Sequence, residues 1–261
     1  MLKIATWNVN SLRVRLPQVL DWLQTHKPDI LALQETKLTD NQFPIGIIQA
    51  AGYHATFAGQ KTYNGVALLS RVEGCDVIRD LPGLTDPQRR LLGATYDGLR
   101  VLNLYVPNGA TVDSEKYQYK LNWLNQLHNY VYDSLNHHSH VIVLGDFNIA
   151  PEDRDIHDPK AWEGSVLVSQ PERAALQKLL KLGLHDTFRL FEQPAESFSW
   201  WDYRGNAFRR NHGVRIDLIL ASTPLSSACT ASMIDITPRH SERPSDHAPV
   251  IATFMDKPVM V

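Results

Sequence analysis

The chain has 261 residues, of which 43% are hydrophobic and 21% are charged, and its formal net charge is −2. A chain of this length and composition buries a core without disulfides or structural metals, so we expect a single domain over residues 1–261. The slight negative charge argues against a protein that coats nucleic acid nonspecifically, but it does not exclude an enzyme that acts on one. No membrane-spanning run or secretory signal is recognisable, which predicts a cytoplasmic protein without a membrane partner.

The two cysteines, Cys75 and Cys229, lie far apart and match neither a zinc knuckle nor a redox pair. We expect both thiols to be reduced and buried, as is common for free cysteines. This expectation is consistent with a reducing cytosol.

Strands and helices alternate along the chain. In its first part, strands are predicted at residues 2–9, 29–34, 65–70, 92–96 and 99–105. The Asp97-Gly98 pair between the last two is typical of a tight hairpin turn. A helix is predicted over residues 17–26, since Pro17 suits a first turn and apolar residues recur on one face.

In the second part, a long helix is predicted over residues 114–136, where leucine and valine recur at helical spacing. Residues 141–144 are consecutively apolar, as in a fully buried strand. A helix over residues 172–182 is expected to end at Gly183, and strands are predicted at residues 214–221 and 248–254. The mixture indicates two packed sheets covered by helices, with functional loops at one edge.

Polar residues follow several of the apolar strands directly. They are Asn8 and Asn10, Glu35, Asp146 and Asn148, and Asp246 with His247. Asparagines of this kind also cap turns, and a glutamate also marks an exposed strand end. Together, however, carboxylates, amides and an imidazole are what hydrolysis of a phosphodiester needs, because they bind a divalent cation and activate water.

Asp217 differs because it is predicted to lie inside an apolar strand, between Ile216 and Leu218. A carboxylate in that position is costly to bury without a partner. Either Arg215 or a histidine would supply one. If the partner is His247, the carboxylate would fix the imidazole tautomer and raise its basicity.

These clusters occur in an order that resembles a known family. The matching segments are residues 6–13, 33–37, 63–67, 103–109, 145–151, 199–204, 215–217 and 244–249. Each segment is weak evidence alone, but the full series resembles the exonuclease III-type apurinic/apyrimidinic endonucleases, within the endonuclease/exonuclease/phosphatase fold that includes DNase I. The resemblance implies an α/β fold, namely a four-layer sandwich of two packed mixed β-sheets flanked by helices.

The resemblance also implies roles for the polar residues. The implied catalytic set is Tyr105 at the phosphate, Asp146 near the leaving oxygen, Asn148 orienting water or phosphate, and the coupled pair Asp217 and His247. The implied metal-binding set is Asn8, Glu35, Asp146, Asn148, Asp246 and His247. Asp146 and His247 are both candidates for the group that deprotonates water.

A third implied set faces DNA: Arg13, Asn108, Trp200, Trp201, Arg204 and Val214. By resemblance, the two tryptophans are walls of a pocket for an extruded sugar that lacks its base, although packing within a turn is the simpler interpretation for one of them. Extrusion is easier there because no base has to be unstacked. Val214 stands where the family often has a bulkier aliphatic residue. Contacts to the DNA backbone predict specificity for damage or ends and little for sequence.

The resemblance thus implies a repair phosphodiesterase that requires Mg²⁺, or Mn²⁺ in its place. It would cleave double-stranded DNA 5′ to abasic sites and remove nucleotides or blocking groups from 3′ ends, as a monomer. Two alternatives stay open: a lipid or inositol phosphate phosphoesterase on the same scaffold, and a catalytically silent DNA-binding module.

Overall fold

Two mixed β-sheets of six strands each pack face to face in the computed structural model, which describes residues 1–255. In spatial order, the first sheet contains β11 (Cys229–Ile234), β12 (Val250–Phe254), β1 (Leu2–Asn8), β2 (Ile30–Gln34), β4 (Val66–Ser70) and β3 (His54–Ala58). The second contains β5 (Cys75–Ile78), β6 (Leu91–Tyr96), β7 (Leu99–Tyr105), β8 (His140–Asp146), β10 (Asp217–Ser222) and β9 (Leu184–Asp186).

Each sheet has one parallel pair, and a helix makes each crossover. Strands β1 and β2 are joined by α1 (Leu12–His26), and β7 and β8 by α3 (Glu115–His137). A parallel connection must return the chain to the same end of the sheet, and a helix does this while covering the sheet. The polar residues after β1, β2, β7 and β8 are thereby brought to one end of the molecule.

The main core lies between the two sheets, and a helical layer covers each outer face. Residues such as Ile4, Ala32, Val101 and Leu144 fill the space between the sheets. Helix α1 and α2 (Ile45–Ala50) cover the first sheet, whereas α3 and α5 (Gln170–Leu180) cover the second. The shorter helices are α4 (Pro159–Trp162) and α6 (Thr223–Ala228). This layer order confirms the four-layer α/β sandwich.

Across residues 1–255, none of the helices has the length and apolar character needed to cross a bilayer. The single domain over residues 1–261 stays a prediction, and residues 256–261 lie outside the described part of the chain.

Helix α1 begins five residues before the predicted start, and Pro17 lies inside it. The reason is tertiary: the backbone N–H groups of Ser11 and Leu12 donate to Glu35 and Thr36, and the Leu12 side chain is fully buried. These contacts start the helix early, although a proline in its interior costs one backbone hydrogen bond.

The strand predicted over residues 214–221 begins only at Asp217. Before it, the N–H and C=O groups of Val214 bond to Trp200, and the N–H of Arg215 donates to Asp155. The preceding residues are therefore held by loops and not by the sheet. Asp217 is the first residue of β10, so the prediction that it lies inside an apolar strand was wrong.

The sequence reading missed four strands: β3, β5, β9 and β11. Each is short or half-exposed, so each lacks a clear apolar pattern. The expected burial of both cysteines was also wrong, because Cys75 is exposed and Cys229 is half-buried.

A buried amide joins the two sheets below the end where the polar residues meet. From β7, Asn103 donates to the backbone carbonyls of Leu33 at 3.0 Å and Ala67 at 2.8 Å in the other sheet. Its own oxygen accepts from Gln34 at 2.7 Å, and Gln34 also donates to Thr6 at 2.8 Å. All of these groups are fully buried, so the amide fixes the spacing of the sheets next to Glu35 and Tyr105.

Replacing Asn103 with Leu should lower the free energy of unfolding by about 3 kcal/mol or more, because two carbonyls and the Gln34 amide lose a buried partner. Urea unfolding measures the loss. Thr6→Val is the control, since it removes only one acceptor of Gln34, and it should cost about 1 kcal/mol. An Asn103→Leu protein no less stable than Thr6→Val would contradict this account.

Candidate functional site

The register of the strands assembles the candidate site at one end of the sandwich. In the second sheet, Tyr105 pairs with Asp146 across β7 and β8, and Asp217 pairs with Asp146 across β10 and β8. In the first sheet, Asn8 pairs with Gln34, and Glu35 follows directly. Asn8 and Gln34 therefore end neighbouring strands of the first sheet, and Tyr105 and Asp146 end neighbouring strands of the second.

Glu35, Asp146 and His247 form a group that could hold a metal ion. One ligand atom from each residue lies within 4.8 Å of the others, and no other such group occurs in residues 1–255. Carboxylate oxygens suit a hard divalent cation, whereas an imidazole is the more usual ligand of softer transition metals. The two carboxylates therefore fit the ion that the sequence predicts, and His247 lies at the edge of the same position.

Asn8 lies between the two carboxylates of this group. Its amide nitrogen donates to Glu35 Oε1 and to Asp146 Oδ2, both at 2.9 Å. Its oxygen accepts from the backbone N–H of Asn10 at 3.0 Å. Asn8 thus stabilises both carboxylates directly, and a role as a metal ligand would require its amide to turn over.

His247 connects the carboxylates of Asp217 and Asp146. Its Nδ1 lies 2.8 Å from Asp217 Oδ2, and its Nε2 lies 3.8 Å from Asp146 Oδ2. Ser199 donates to the same Asp217 oxygen at 2.7 Å. The bond at Nδ1 fixes the ring, so that Nε2 points at Asp146 and into the site. Of the two partners expected for Asp217, the histidine is the one present.

The electrostatics of this pair follow from burial and close charges. Burial raises the pKa of Asp146 to about 7, although the nearby His247 lowers it. Burial alone would lower the pKa of His247, but the Asp217 and Asp146 carboxylates outweigh it and raise the value to about 10. At neutral pH the imidazole is therefore cationic and can hold a proton beside a phosphate oxygen. A bound divalent cation would draw the pKa of Asp146 downward.

Tyr105, the last residue of β7, and Asn148, in the loop after β8, lie beside the group. Burial raises the pKa of Tyr105 well above its usual value, with Glu35 and Asp146 adding to the effect, so its phenol stays a hydrogen-bond donor. Asn148 has a left-handed φ of 49° and donates to the carbonyl of Val106 at 3.0 Å. Its side-chain oxygen accepts from Asn108 at 3.1 Å, and Asn108 is itself exposed.

Asp246 is adjacent to His247 in sequence but does not belong to the group that could hold a metal. Its carboxylate accepts from Asn10 at 2.9 Å and from the Trp200 indole at 3.0 Å. Burial by itself would raise the pKa of Asp246, but His247 and these two bonds hold it below its usual value. Asp246 therefore orients Trp200 in this structure.

The two tryptophans have different environments. Trp200 is half-buried and directed toward the site, whereas Trp201 is 2% exposed and donates to Asn211 at 3.1 Å. Val214 is also fully buried, beneath Trp200 and Trp162. The expectation of direct DNA contact is thus corrected for Trp201 and Val214, because other side chains cover both. Trp162 lies edge-on to Trp200, with ring centroids 6.4 Å apart.

The two arginines predicted to face DNA are both exposed. Arg13 lies in the first turn of α1. Arg204 lies after the tryptophans and is paired with Asp202 at 2.8 Å, with 89% of its side chain exposed. The pair with Asp202 partly neutralises the charge of Arg204. Arg13 and Arg204 are both accessible to a phosphate group.

Several residues around the site escaped the sequence analysis. They are Trp162, Lys120, Ser199 and three members of the ionic cluster around Arg215, namely Asp155, Arg189 and Asp186. Arg215 had been considered as a partner of Asp217, but it contacts Asp155 at 2.7 Å and Asp186 at 2.8 Å. Ser199 lies in the segment 199–204 that resembles the family, but its bond to Asp217 spans 18 residues. No local pattern marks such pairs, because the partners come from distant parts of the chain.

Residues 5–247 match the model of the Endonuclease/Exonuclease/phosphatase family, and the chain belongs to that family. It is 36% identical to exodeoxyribonuclease III of Haemophilus influenzae, over 97% of this chain and 100% of that protein. Among solved structures, it is similar to NExo, a 3′ phosphatase from Neisseria bound to a product DNA hairpin, with a TM-score of 0.96 and 47% identity. The alignment covers 97% of this chain and 99% of that one.

It is also similar to an AP endonuclease from Archaeoglobus fulgidus, with a TM-score of 0.94 and 43% identity, over 97% of this chain and 99% of that one. These three relatives confirm the resemblance drawn from the ordered motifs. They also confirm the fold class, since each match spans nearly the whole chain.

The ionic cluster generates a prediction about stability and pH. Burial alone would raise the pKa of Asp155, but Arg215 and Arg189 hold it below its usual value. A folded-state pKa below the unfolded value of about 4 stabilises the protein above that pH, and the effect is lost as pH falls through the folded value. Asp155→Asn should therefore cost about 3–5 kcal/mol at pH 7, because it leaves the buried Arg215 partly unpaired.

Chemical unfolding at pH 7 and at successive values below pH 4 measures the difference in free energy of unfolding between the wild type and Asp155→Asn. This difference should shrink as the wild-type carboxylate is protonated. Asp153→Asn is the matched control, because that carboxylate is exposed and pairs only with Arg173 at the surface. A difference that stays constant down to pH 2 would show that the ionised form of Asp155 contributes nothing.

Proposed function

We propose that the protein is a DNA-repair phosphodiesterase that uses Mg²⁺, or Mn²⁺ in its place, on double-stranded DNA. It cleaves 5′ to abasic sites and removes nucleotides or blocking groups from 3′ ends. The observation that carries the proposal is the group of Glu35, Asp146 and His247, whose ligand atoms lie within 4.8 Å of one another. Relatives named as an exodeoxyribonuclease, a 3′ phosphatase and an AP endonuclease support DNA as the substrate.

Glu35 and Asp146 would hold the metal, with His247 at its edge and Asn8 and Asn148 within reach of the same position. Bound there, the cation would supply positive charge to the phosphate and to the developing oxyanion. Asp246 is the weakest member of the proposed metal set, because Asn10 and Trp200 already occupy its oxygens.

The proposed proton chemistry rests on the three buried groups around His247. With its Nδ1 bonded to Asp217, the ring presents an Nε2 proton to the reacting phosphate. Asp146, which lies 3.8 Å from His247 Nε2, would exchange a proton with water or with the leaving oxygen. Tyr105 donates its phenol hydrogen to a phosphate oxygen, and Asn148 orients the phosphate or the water with its amide. Of the two candidates for the group that activates water, Asp146 and His247, this proposal favours Asp146, because an imidazolium with protons on both nitrogens has no free nitrogen to accept another.

On the DNA side, Trp200 and Trp162 form the exposed aromatic wall of the proposed pocket for a sugar without a base. Val214 packs beneath this wall, whereas Trp201 packs in a separate apolar cluster with Phe198 and Phe208. Arg13, Asn108 and Arg204 are exposed and are proposed to contact the backbone, which positions the duplex without reading its sequence. We also propose that the protein acts as a monomer in the cytoplasm; sedimentation and cell fractionation would test both points.

The most direct test digests a set of labelled duplexes with Mg²⁺, with Mn²⁺ or with chelator. The set contains an abasic analogue, a recessed 3′ end and a 3′-phosphate. We expect metal-dependent cleavage, and none with chelator. Turnover of phosphoinositides without cleavage of any DNA would favour a lipid-directed enzyme, and DNA binding without turnover would favour a silent module.

Asp146→Asn and His247→Ala should each reduce cleavage by roughly a hundredfold or more, because each removes a group that moves or holds a proton in the reaction. Thermal unfolding should show that both variants remain folded. Asp97→Asn is the matched control: it lies in the β6–β7 turn, at the opposite end of β7 from Tyr105, and is exposed. An Asp146→Asn enzyme as fast as Asp97→Asn would reject the proposed role.

Trp162→Ala should lower kcat/KM on the abasic duplex by about fivefold, the equivalent of an aromatic contact of about 1 kcal/mol. Removal of a 3′-phosphate should change less, because that substrate does not need the full pocket. Trp162→Phe keeps a ring against Trp200 and should restore most of the activity. Equal losses on both substrates would place Trp162 outside the pocket.

A further inference from the structure

Lys120 of α3 and Glu172 of α5 form an ion pair in which both side chains are 0% exposed. The lysine nitrogen has three donors, and it meets three acceptors: Glu172 Oε1, the Asn108 carbonyl at 3.1 Å and the Asn148 carbonyl at 2.7 Å. No donor is left over, so the ammonium is fully satisfied in the interior.

Stability alone does not account for this pair. Taking two charges out of water costs several kcal/mol per ion, and apolar side chains of the same volume often serve equally well. Burial lowers the pKa of Lys120, although Glu172 opposes the shift. The two backbone contacts of the lysine are what an apolar side chain could not replace.

Those contacts hold two loops that carry candidate site residues. Asn108 follows β7 and Asn148 follows β8, and their side chains are bonded to each other at 3.1 Å. The backbone N–H of Asn148 donates to Asp146 Oδ1 at 2.9 Å, and its φ is left-handed. Asparagine is among the non-glycine residues that adopt this conformation most readily, so the turn at Asn148 forms without strain. Lys120 is the charged group beneath this turn.

Glu172 fixes the other side of the same loop. It accepts from the backbone N–H groups of Leu167 at 3.0 Å and Ser169 at 3.1 Å. The carbonyl of Leu167 in turn accepts from the N–H of Ala150 at 2.7 Å, two residues beyond Asn148. The pair therefore clamps residues 148–150 between α3 and the start of α5.

We propose that Lys120 and Glu172 are positioning residues, which hold the Asn148 amide and the Asp146 carboxylate in the geometry of the reaction. This inference rests on the proposed function. It predicts that loss of the pair slows the chemical step, with only a small effect on substrate binding. A displacement of about 1 Å at a reacting group costs up to a hundredfold in rate.

The test compares Lys120→Met with Arg100→Met. Arg100 is also a buried cation, 4% exposed, and it donates to the carbonyl of Asp76 at 2.7 Å and to the Tyr130 hydroxyl at 2.7 Å. It stands five residues before Tyr105 on β7, about 16 Å from the site at the rise of a strand. Both variants should lower the melting temperature, and only Lys120→Met should lower kcat, by roughly tenfold to a hundredfold with KM nearly unchanged.

Glu172→Gln gives a second variant in case Lys120→Met does not fold, since its amide oxygen still accepts from Lys120 and Leu167; its kcat should fall less. Suppose that the wild-type protein cleaves the abasic duplex and that Lys120→Met or Glu172→Gln is as fast as Arg100→Met. This result would overturn the positioning role and leave the proposed function intact. A wild-type protein that leaves every duplex uncut would overturn the proposed function, and this inference with it.

Discussion

The candidate site depends on the enforced proximity of two buried carboxylates. Asp146 ends β8 and Asp217 begins β10, and the register of these antiparallel strands places them side by side. Two carboxylates so close and so buried repel each other unless positive charge is supplied. His247 supplies it from the segment that precedes β12, bonded to Asp217 and 3.8 Å from Asp146. Both carboxylates belong to the second sheet, and the imidazole precedes β12 of the first, so the packing of the two sheets sets the geometry of the site.

Buried ion pairs and a buried amide also lie behind the end of the sandwich that carries the candidate site. Arg215 with Asp155 and Lys120 with Glu172 are buried ion pairs behind the site, and the Asn103 amide joins the sheets below it. Each contact is directional, and apolar packing is not. A site that must place several oxygens around one cation benefits from directional supports, because misplacement by a fraction of an ångström weakens every electrostatic interaction in it.

The aromatic wall of the proposed sugar pocket depends on packing between distant segments of the chain. Val214 is fully buried, and the apolar cluster around it covers its side chain. Trp162, presented by the four-residue helix α4, lies over the same apolar cluster and meets Trp200 edge-on. The exposed wall is therefore built from two tryptophans that are 38 positions apart in the sequence.

The sequence by itself determined two packed sheets covered by helices, the long helix α3 and the strand-ending polar residues, because apolar periodicity and polar residues after strands are local signals. The family resemblance added the four-layer order and the proposed roles at the candidate site. It also brought Asp217 and His247 together as one of two options. Only the tertiary structure decided between His247 and Arg215, started α1 at Leu12, and covered Trp201 and Val214. These outcomes depend on contacts between distant segments, whose energies no local pattern records.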